Sequence, residues 1–450
     1  MDPGSPLPPE LGTSASSSRA ASVKRWRILA IAGAMIAVVV TILVRLGGGA
    51  DEPRSGPPLA SAASRPVLAA IVATIAKLEA AVTPSSARGA EQIDVCGIGW
   101  VGAKADGSAD EAALQAARPA LLAARRRLLD AMAAAPDEFS QAAALWLDLY
   151  GDASEQASAG AADMRPIVAA RHDALARRAL STADPRVYAL AFRSCSRAPE
   201  QGACAMLNAA RWAQVDEGNA TPWMFMLDEA RRRNDEAAVA DALFHIASAR
   251  RFDDRFFAAA GAIEAHAGPL DIDTIAAVGV SVEAIGMAAA LSAPLQTLTQ
   301  ACRLPEIGNA NRRQLCEGVA EVMVERSDTL LLQRIGIGMG RRLGWREERT
   351  DALAGEYAAW TDSQALSNGS GGTDSDCSSM KKMLGRFARQ ASVGEVSVMH
   401  EWAATTGRSR ESFAQAGRDV RLRREAEQAA AVRDAAAASG NAVASASAPR

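Results

Sequence analysis

The stretch that decides the fold is WAQVDEGNATPWMFMLDEARRRNDEAAVADALFHIASARRFDDRFF, Trp212 to Phe257. It alternates turn, helix, break, helix and turn. Pro222 suits a first helical turn, where its missing N–H costs nothing. Trp223, Leu227 and Ala230 then share one helical face, and Val239, Leu243 and Ile246 share a face of the next helix. Asn234 between them tolerates the left-handed backbone that ends a helix. A pair of this kind cannot cover its own apolar faces, so it requires further helices stacked on it.

Working outward, the same grammar recurs. Tyr188, Trp223 and Phe257 each follow a turn and are spaced by 35 and 34 residues, the period of one antiparallel helix pair. Asp184, Asp216 and Asp253 precede these helices, where a carboxylate can accept orphan backbone N–H groups and favours the positive dipole end. On Asp184-Pro185, on Asn219-Ala220 with Trp223, and on the Asn234-Asp235 break, residues 170–265 resemble tetratricopeptide repeats. Glu217 stands where the family places a turn proline, and Val239 where it places a small residue. The resemblance implies stacked helical hairpins and a concave face that takes a polypeptide.

Composition agrees with helices. Apolar residues make up 49% of the 450-residue chain while aromatics make up 4%. Alanine, the strongest helix former, is the largest single part of the apolar count. The expected fold is all-α: antiparallel helical hairpins stacked as a short solenoid, behind one N-terminal transmembrane helix. The net charge of −3 argues against a nucleic-acid binder, which carries a basic excess.

The membrane segment is ILAIAGAMIAVVVTILV, residues 28–44, uncharged and bounded by Arg27 and Arg45. That is long enough to span a bilayer. Arg19, Lys24, Arg25 and Arg27 precede it, which places residues 1–27 in the cytoplasm and the rest outside. A cleaved signal peptide fits less well, because the nearest A-x-A site, Ala60-Ser61-Ala62, lies far downstream. The expected location is a bacterial inner membrane, single-pass, with most of the chain periplasmic.

All six cysteines follow that segment, and an even number beyond a membrane suggests disulfides. Sequence does not choose among the pairings. Proximity favours Cys195–Cys204 and Cys302–Cys316, leaving Cys96–Cys377 as a long-range tie. There is no C-x-x-C, and no histidine at ligand spacing from a cysteine, so neither metal nor any other cofactor is expected.

The remaining chain divides by composition. Residues 45–64 read as a linker and 65–365 as the helical domain. SNGSGG within 366–376 marks a flexible break, 377–423 a small helical unit, and 424–450 an alanine-rich, partly disordered tail. A first helix is expected from Pro66 to Val82. IDVCGIGWVG, 93–102, has strand character but no second strand near it, and reads as a loop pinned by Cys96. Ser327 is the expected N-cap of a helix over 328–343.

Motifs that could carry chemistry are weak. Ser378-x-x-Lys381 and Ser379-x-x-Lys382 lack the companion elements of penicillin-binding enzymes. Gly336, Gly338 and Gly340 have no preceding strand and no closing Gly-Lys-Ser/Thr, which favours close helix packing over a phosphate loop. His172, His245, His266 and His400 are scattered, and arginine pairs at helix ends complement the dipole. No catalytic residue emerges. The expected function is a non-enzymatic protein- or peptide-binding scaffold anchored to the lipid bilayer through residues 28–44. The alternative is an envelope enzyme or chaperone whose site the sequence hides.

Overall fold

A computed structural model describes residues 92–102, 111–156, 165–196, 202–268, 271–369 and 377–446. All of these belong to one compact unit, Ser61–Arg450. The membrane segment 28–44, the linker 45–64 and the helix expected over 66–82 lie outside the described residues.

The described residues are all-α apart from one hairpin. Strands β1 (Gln92–Val95) and β2 (Gly99–Gly102) pair antiparallel, Ile93 opposite Val101. The stretch expected to be a loop pinned by Cys96 is thus two short paired strands. Gly97, at φ +72°, turns the chain back on itself, and the Ile98 N–H donates to Val95 O at 2.9 Å. Gly97 also abuts the backbone of Ile272 so closely that a side chain would have no room.

Helices α1 (Glu111–Ala133), α2 (Glu138–Gln156), α3 (Arg165–Ser181) and α4 (Pro185–Cys195) pack in succession. A 3₁₀ turn, Gly202–Met206, and α5 (Ala209–Val215) lead into the central pair, α6 (Thr221–Arg232) and α7 (Glu236–Ala247). The chain then runs through α8 (Ala258–His266), α9 (Asp271–Ala290), α10 (Leu295–Ala301), α11 (Ala310–Glu325) and α12 (Leu330–Leu343). It ends in α13 (Glu347–Gly369), α14 (Cys377–Val393), α15 (Glu395–Thr405) and α16 (Arg410–Ala446).

The central pair forms as expected. Asn234 sits at φ 54°, and Asp235 caps α7 by accepting from Ala238 N at 3.0 Å. Its neighbour in space is not the next helix in sequence. Helix α7 packs on α11, which pairs with α12, while α8 and α9 leave to pack on α1 and α14. Phe257 therefore opens a helix in a different part of the molecule from the α6–α7 stack.

Three cores result. Trp146, Leu147, Leu175, Tyr188, Trp212 and Ile263 anchor the first, which joins α1–α5 to α8 and α9. Met224, Leu227, Leu243, Phe252, Val319 and Met339 anchor the second, within α6, α7 and α10–α12. Trp360, Met399 and Phe413 anchor the third, which includes α13, α15 and α16. The α13–α16 crossing is glycine-dependent, since Gly355 and Gly417 bring backbone against backbone.

The cap of α12 is Thr329, whose hydroxyl accepts from Leu332 N, rather than Ser327. Ser327 instead lies in a parallel bridge with Phe252. The break expected over 366–376 begins later, because α13 continues to Gly369. The tail expected from 424 is helical to Ala446, as its alanine, arginine and glutamate content favours. The span 377–423 is no free-standing unit, since α14 packs on α8 and α9. Among the described residues, one apolar helical stretch, Asp271–Ala301, has the length to cross a membrane, but 44% of its apolar window is buried within the fold.

Candidate functional site

All six cysteines lie in disulfides, in the two pairings that proximity favoured and the long-range one that was left over. Cys96–Cys377 has a Cα–Cα distance of 4.5 Å, Cys195–Cys204 of 5.4 Å and Cys302–Cys316 of 5.7 Å. Each closes a joint. The first ties the β-hairpin to α14, the second ties α4 to the 3₁₀ turn, and the third ties the end of α10 to α11. Asp271 lies beside Cys96 and Cys377, a three-ligand grouping, but the two sulfurs are spent on each other.

Beside the second disulfide lies a cleft of about 450 Å³. Phe192 and Phe225, edge to face at 5.2 Å, give it an aromatic wall. Asp228, Glu229 and Arg232 of α6 stand along it, with Asn208 and Pro294 also lining it. Asp228 accepts from Arg232 Nε at 3.2 Å and from the Thr297 hydroxyl. An apolar wall with mixed charges beside it suits polypeptide, and the lining holds no nucleophile beside a base.

The sequence-predicted residues fall in different places. Tyr188 is buried, donating from its hydroxyl to Asn208 O at 3.2 Å and accepting from Asn208 N at 3.3 Å. Trp223 is half-buried and stacks on His245 at 3.7 Å. Phe257 is half-buried against Phe256 and Phe387. Asp184 caps α4 as expected, accepting from Arg186 N at 2.8 Å. Burial works against its ionised form, but Arg186 and that N–H outweigh it and hold the carboxyl below its ordinary value.

Asp216 and Asp253 do not cap helices. Helix α6 begins at Ala220 and α8 at Phe257, each without a side-chain cap. Asp216 is instead a buried charge. It accepts from Arg255 at 2.9 and 3.0 Å, from Asn219 at 2.9 Å and from Trp212 Nε1 at 3.3 Å, and it pairs with Arg251. Desolvation pushes its carboxyl up, but these partners, Arg255 foremost, hold it below the usual range. Asp253 accepts from the N–H of Arg255 at 2.9 Å.

These two belong to a larger cluster. Asp328 accepts from the N–H groups of Asp254 and Arg255, each at 3.1 Å. Asp254 pairs with Arg193, which also donates to Asp254 O at 2.8 Å. Glu395 accepts from Leu330 N at 3.0 Å, and its own N–H donates to Asp328 O at 2.6 Å. The cluster thus clasps five chain segments, around 193, 216–219, 251–255, 327–330 and 394–395. Burial drives the Asp328 carboxyl well above the ordinary value, with Asp253 and Asp254 adding to the effect. Burial also raises Asp254 and Glu395.

Sequence reasoning missed Arg193, Asp254, Asp328 and Glu395. Each is an ordinary helix-end or helix-face charge in its own segment.

The histidines do not build a catalytic array. His266 Nε2 lies 3.1 Å from Ser140 Oγ, but Ser140 is buried, and both its N–H and its hydroxyl serve Asp137. The serine stands between carboxylate and imidazole, whereas base activation needs the imidazole in the middle. His400 pairs with Glu356 at 3.3 Å.

No protein-family model, curated protein or solved structure matches this chain.

Proposed function

We propose that this chain is a non-enzymatic, polypeptide-binding scaffold of the bacterial periplasm, anchored in the inner membrane by residues 28–44 with its N-terminus cytoplasmic. The observation that carries this reading is the pairing of all six cysteines, each pair bracing a joint between elements. Structural disulfides belong to oxidising compartments. The charged run before residue 28 supports the orientation. The cleft beside Cys195–Cys204 supports the binding role. It combines an aromatic wall with charged groups, and a disulfide holds its shape.

The test is site-specific photocrosslinking in native envelopes, with the probe at Glu229 beside the cleft and, as a control, at Glu427 on α16. Expected is one defined polypeptide adduct from Glu229 and none from Glu427. Equal, diffuse labelling from both positions sinks the binding reading. Six thiols reactive without reductant sink the compartment.

A further inference from the structure

A second cavity, separate from the cleft, lies between α2, α4 and the start of α8. Its volume is about 30 Å³, and Phe139, Trp146, Arg186, Arg193, Arg255 and Phe256 line it along with alanine and leucine side chains. Three features of this lining stand out chemically. It contains three guanidinium groups and no carboxylate. Trp146 is 1% exposed, and its Nε1–H has no hydrogen-bond partner. The Nε–H groups of Arg193 and Arg255 are also buried without partners.

The arginines are oriented by their other nitrogens. Arg193 spends its terminal nitrogens on Asp254, and Arg255 spends its own on Asp216 and Asp253. Arg186 is fixed by Asp184 at 2.7 Å and lies over the Phe139 ring at 4.6 Å. Its side chain is 45% exposed, which puts the mouth of the cavity at this residue. Buried donors are satisfied in the great majority of cases, so three unpartnered donors on residues that line one cavity call for an acceptor. The cavity exceeds the roughly 10–15 Å³ that one water needs, and it matches a group of two or three heavy atoms. A charged acceptor takes such hydrogen bonds more strongly than water does.

We infer that this cavity is a binding site for a carboxylate group, held by Trp146 Nε1 and the Nε edges of Arg193 and Arg255, with Arg186 at its mouth. The carboxylate belongs either to a small free acid or to the C-terminus of a polypeptide. In both cases the small volume admits the head group and leaves anything larger outside. The site does not depend on the cleft or on the scaffold reading.

The test is calorimetric titration of the full-length, oxidised protein with acetate, propionate and trialanine bearing a free carboxylate. Acetamide, trialanine amide and chloride serve as controls. Expected is saturable binding of one carboxylate per chain, with no response to the amides or to chloride. Binding of acetate alone identifies a free acid, and binding of trialanine alone identifies a chain terminus. Trp146→Phe removes one donor and weakens binding at least tenfold, while near-ultraviolet circular dichroism shows the unliganded variant still folded. Ala288→Leu fills the cavity without touching a donor and abolishes binding. Carboxylates that bind no better than chloride overturn the assignment. So does unchanged affinity in the Ala288→Leu variant.

Discussion

The carboxylates of Asp253 and Asp328 converge on a single donor, the backbone N–H of Arg255, at 2.9 and 3.1 Å. Arg255 reaches this position in the left-handed region, at φ 53°, a cost that the surrounding clasp sustains. Two carboxylates so close disfavour the charged form. Asp328 holds its proton more tightly than an ordinary aspartate, because burial, and then the neighbouring Asp253 and Asp254, raise it well above its usual value.

The first prediction follows from that proton. A carboxyl whose folded pKa is raised makes the folded state bind more protons than the unfolded one. Its contribution is full below its ordinary value of 3.8 and is lost as pH rises through the raised value. Asp328→Asn, permanently neutral, removes this slope. Urea unfolding at intervals between pH 4 and pH 8 shows the parent gaining stability on acidification relative to the variant. Parallel curves for the two proteins would refute a raised Asp328 carboxyl.

Asp216 carries the opposite sign. Its carboxyl is buried yet held below its ordinary value by Arg255, Asn219 and Arg251, so its contribution is present above 3.8 and lost as pH falls through the lowered value. Asp216→Asn leaves Arg255, whose side chain is 14% exposed, without its main counter-charge. Breaking a buried pair from one side costs about 3 kcal/mol. The same unfolding assay at pH 7 reads this loss, and the gap between variant and parent narrows below pH 3.8. A constant gap across that range would mean that shape, not charge, is what Asn fails to supply.

How much of this was legible beforehand depends on the range over which residues act. The α6–α7 pair, the left-handed Asn234, the Asp184 cap and the two short disulfides all rest on contacts within about one helical hairpin, and their residue types announce them. Cys96–Cys377 followed only because two cysteines were left over. The clasp is different in kind. Asp216, Asp254, Asp328 and Glu395 are brought together by α11 packing on α7 instead of α8, and no local pattern encodes that choice. Asp216 and Asp253 were noticed for the right reason, a charge just before a helix. They serve another purpose because a buried arginine competes better for a carboxylate than a solvent-facing helix end does. The hairpin at 92–102 reads from sequence as a loop because its turn consists of Cys96, Gly97 and Ile98, without the Asn-Gly signature that marks a tight reversal.

The disulfides allow an ordering to be predicted. Cys96–Cys377 spans 281 residues and Cys195–Cys204 spans 9. If bridges act mainly on the unfolded chain, the long one is worth about 5 kcal/mol and the short one about 3 kcal/mol. Paired Cys→Ser variants unfolded in guanidinium should rank in that order. The long-bridge variant should also become sensitive to proteolysis at the β-hairpin, which loses its covalent tie to α14. A larger loss from the short bridge would show that native-state packing around Cys195, and not chain entropy, dominates.

Two glycines separate close approach from mere tolerance. A Cβ on Gly417 of α16 would fall 1.7 Å from Gly355 O on α13, a backbone atom that no rotamer change can move aside. A Cβ on Gly385 of α14 would meet nothing within 4 Å. In a helix interior, glycine is worse than alanine by roughly 0.5–1 kcal/mol when nothing else intervenes. Gly385→Ala should therefore raise stability by about that amount, and Gly417→Ala should lower it by about 3 kcal/mol or more as the crossing is forced apart. The site of damage is equally specific. Trp360, Trp402 and Phe413 form an edge-to-face run in the third core, beside that crossing. Near-ultraviolet circular dichroism should change in Gly417→Ala and stay as in the parent for Gly385→Ala. If both variants gain stability, α13 and α16 are not in backbone contact.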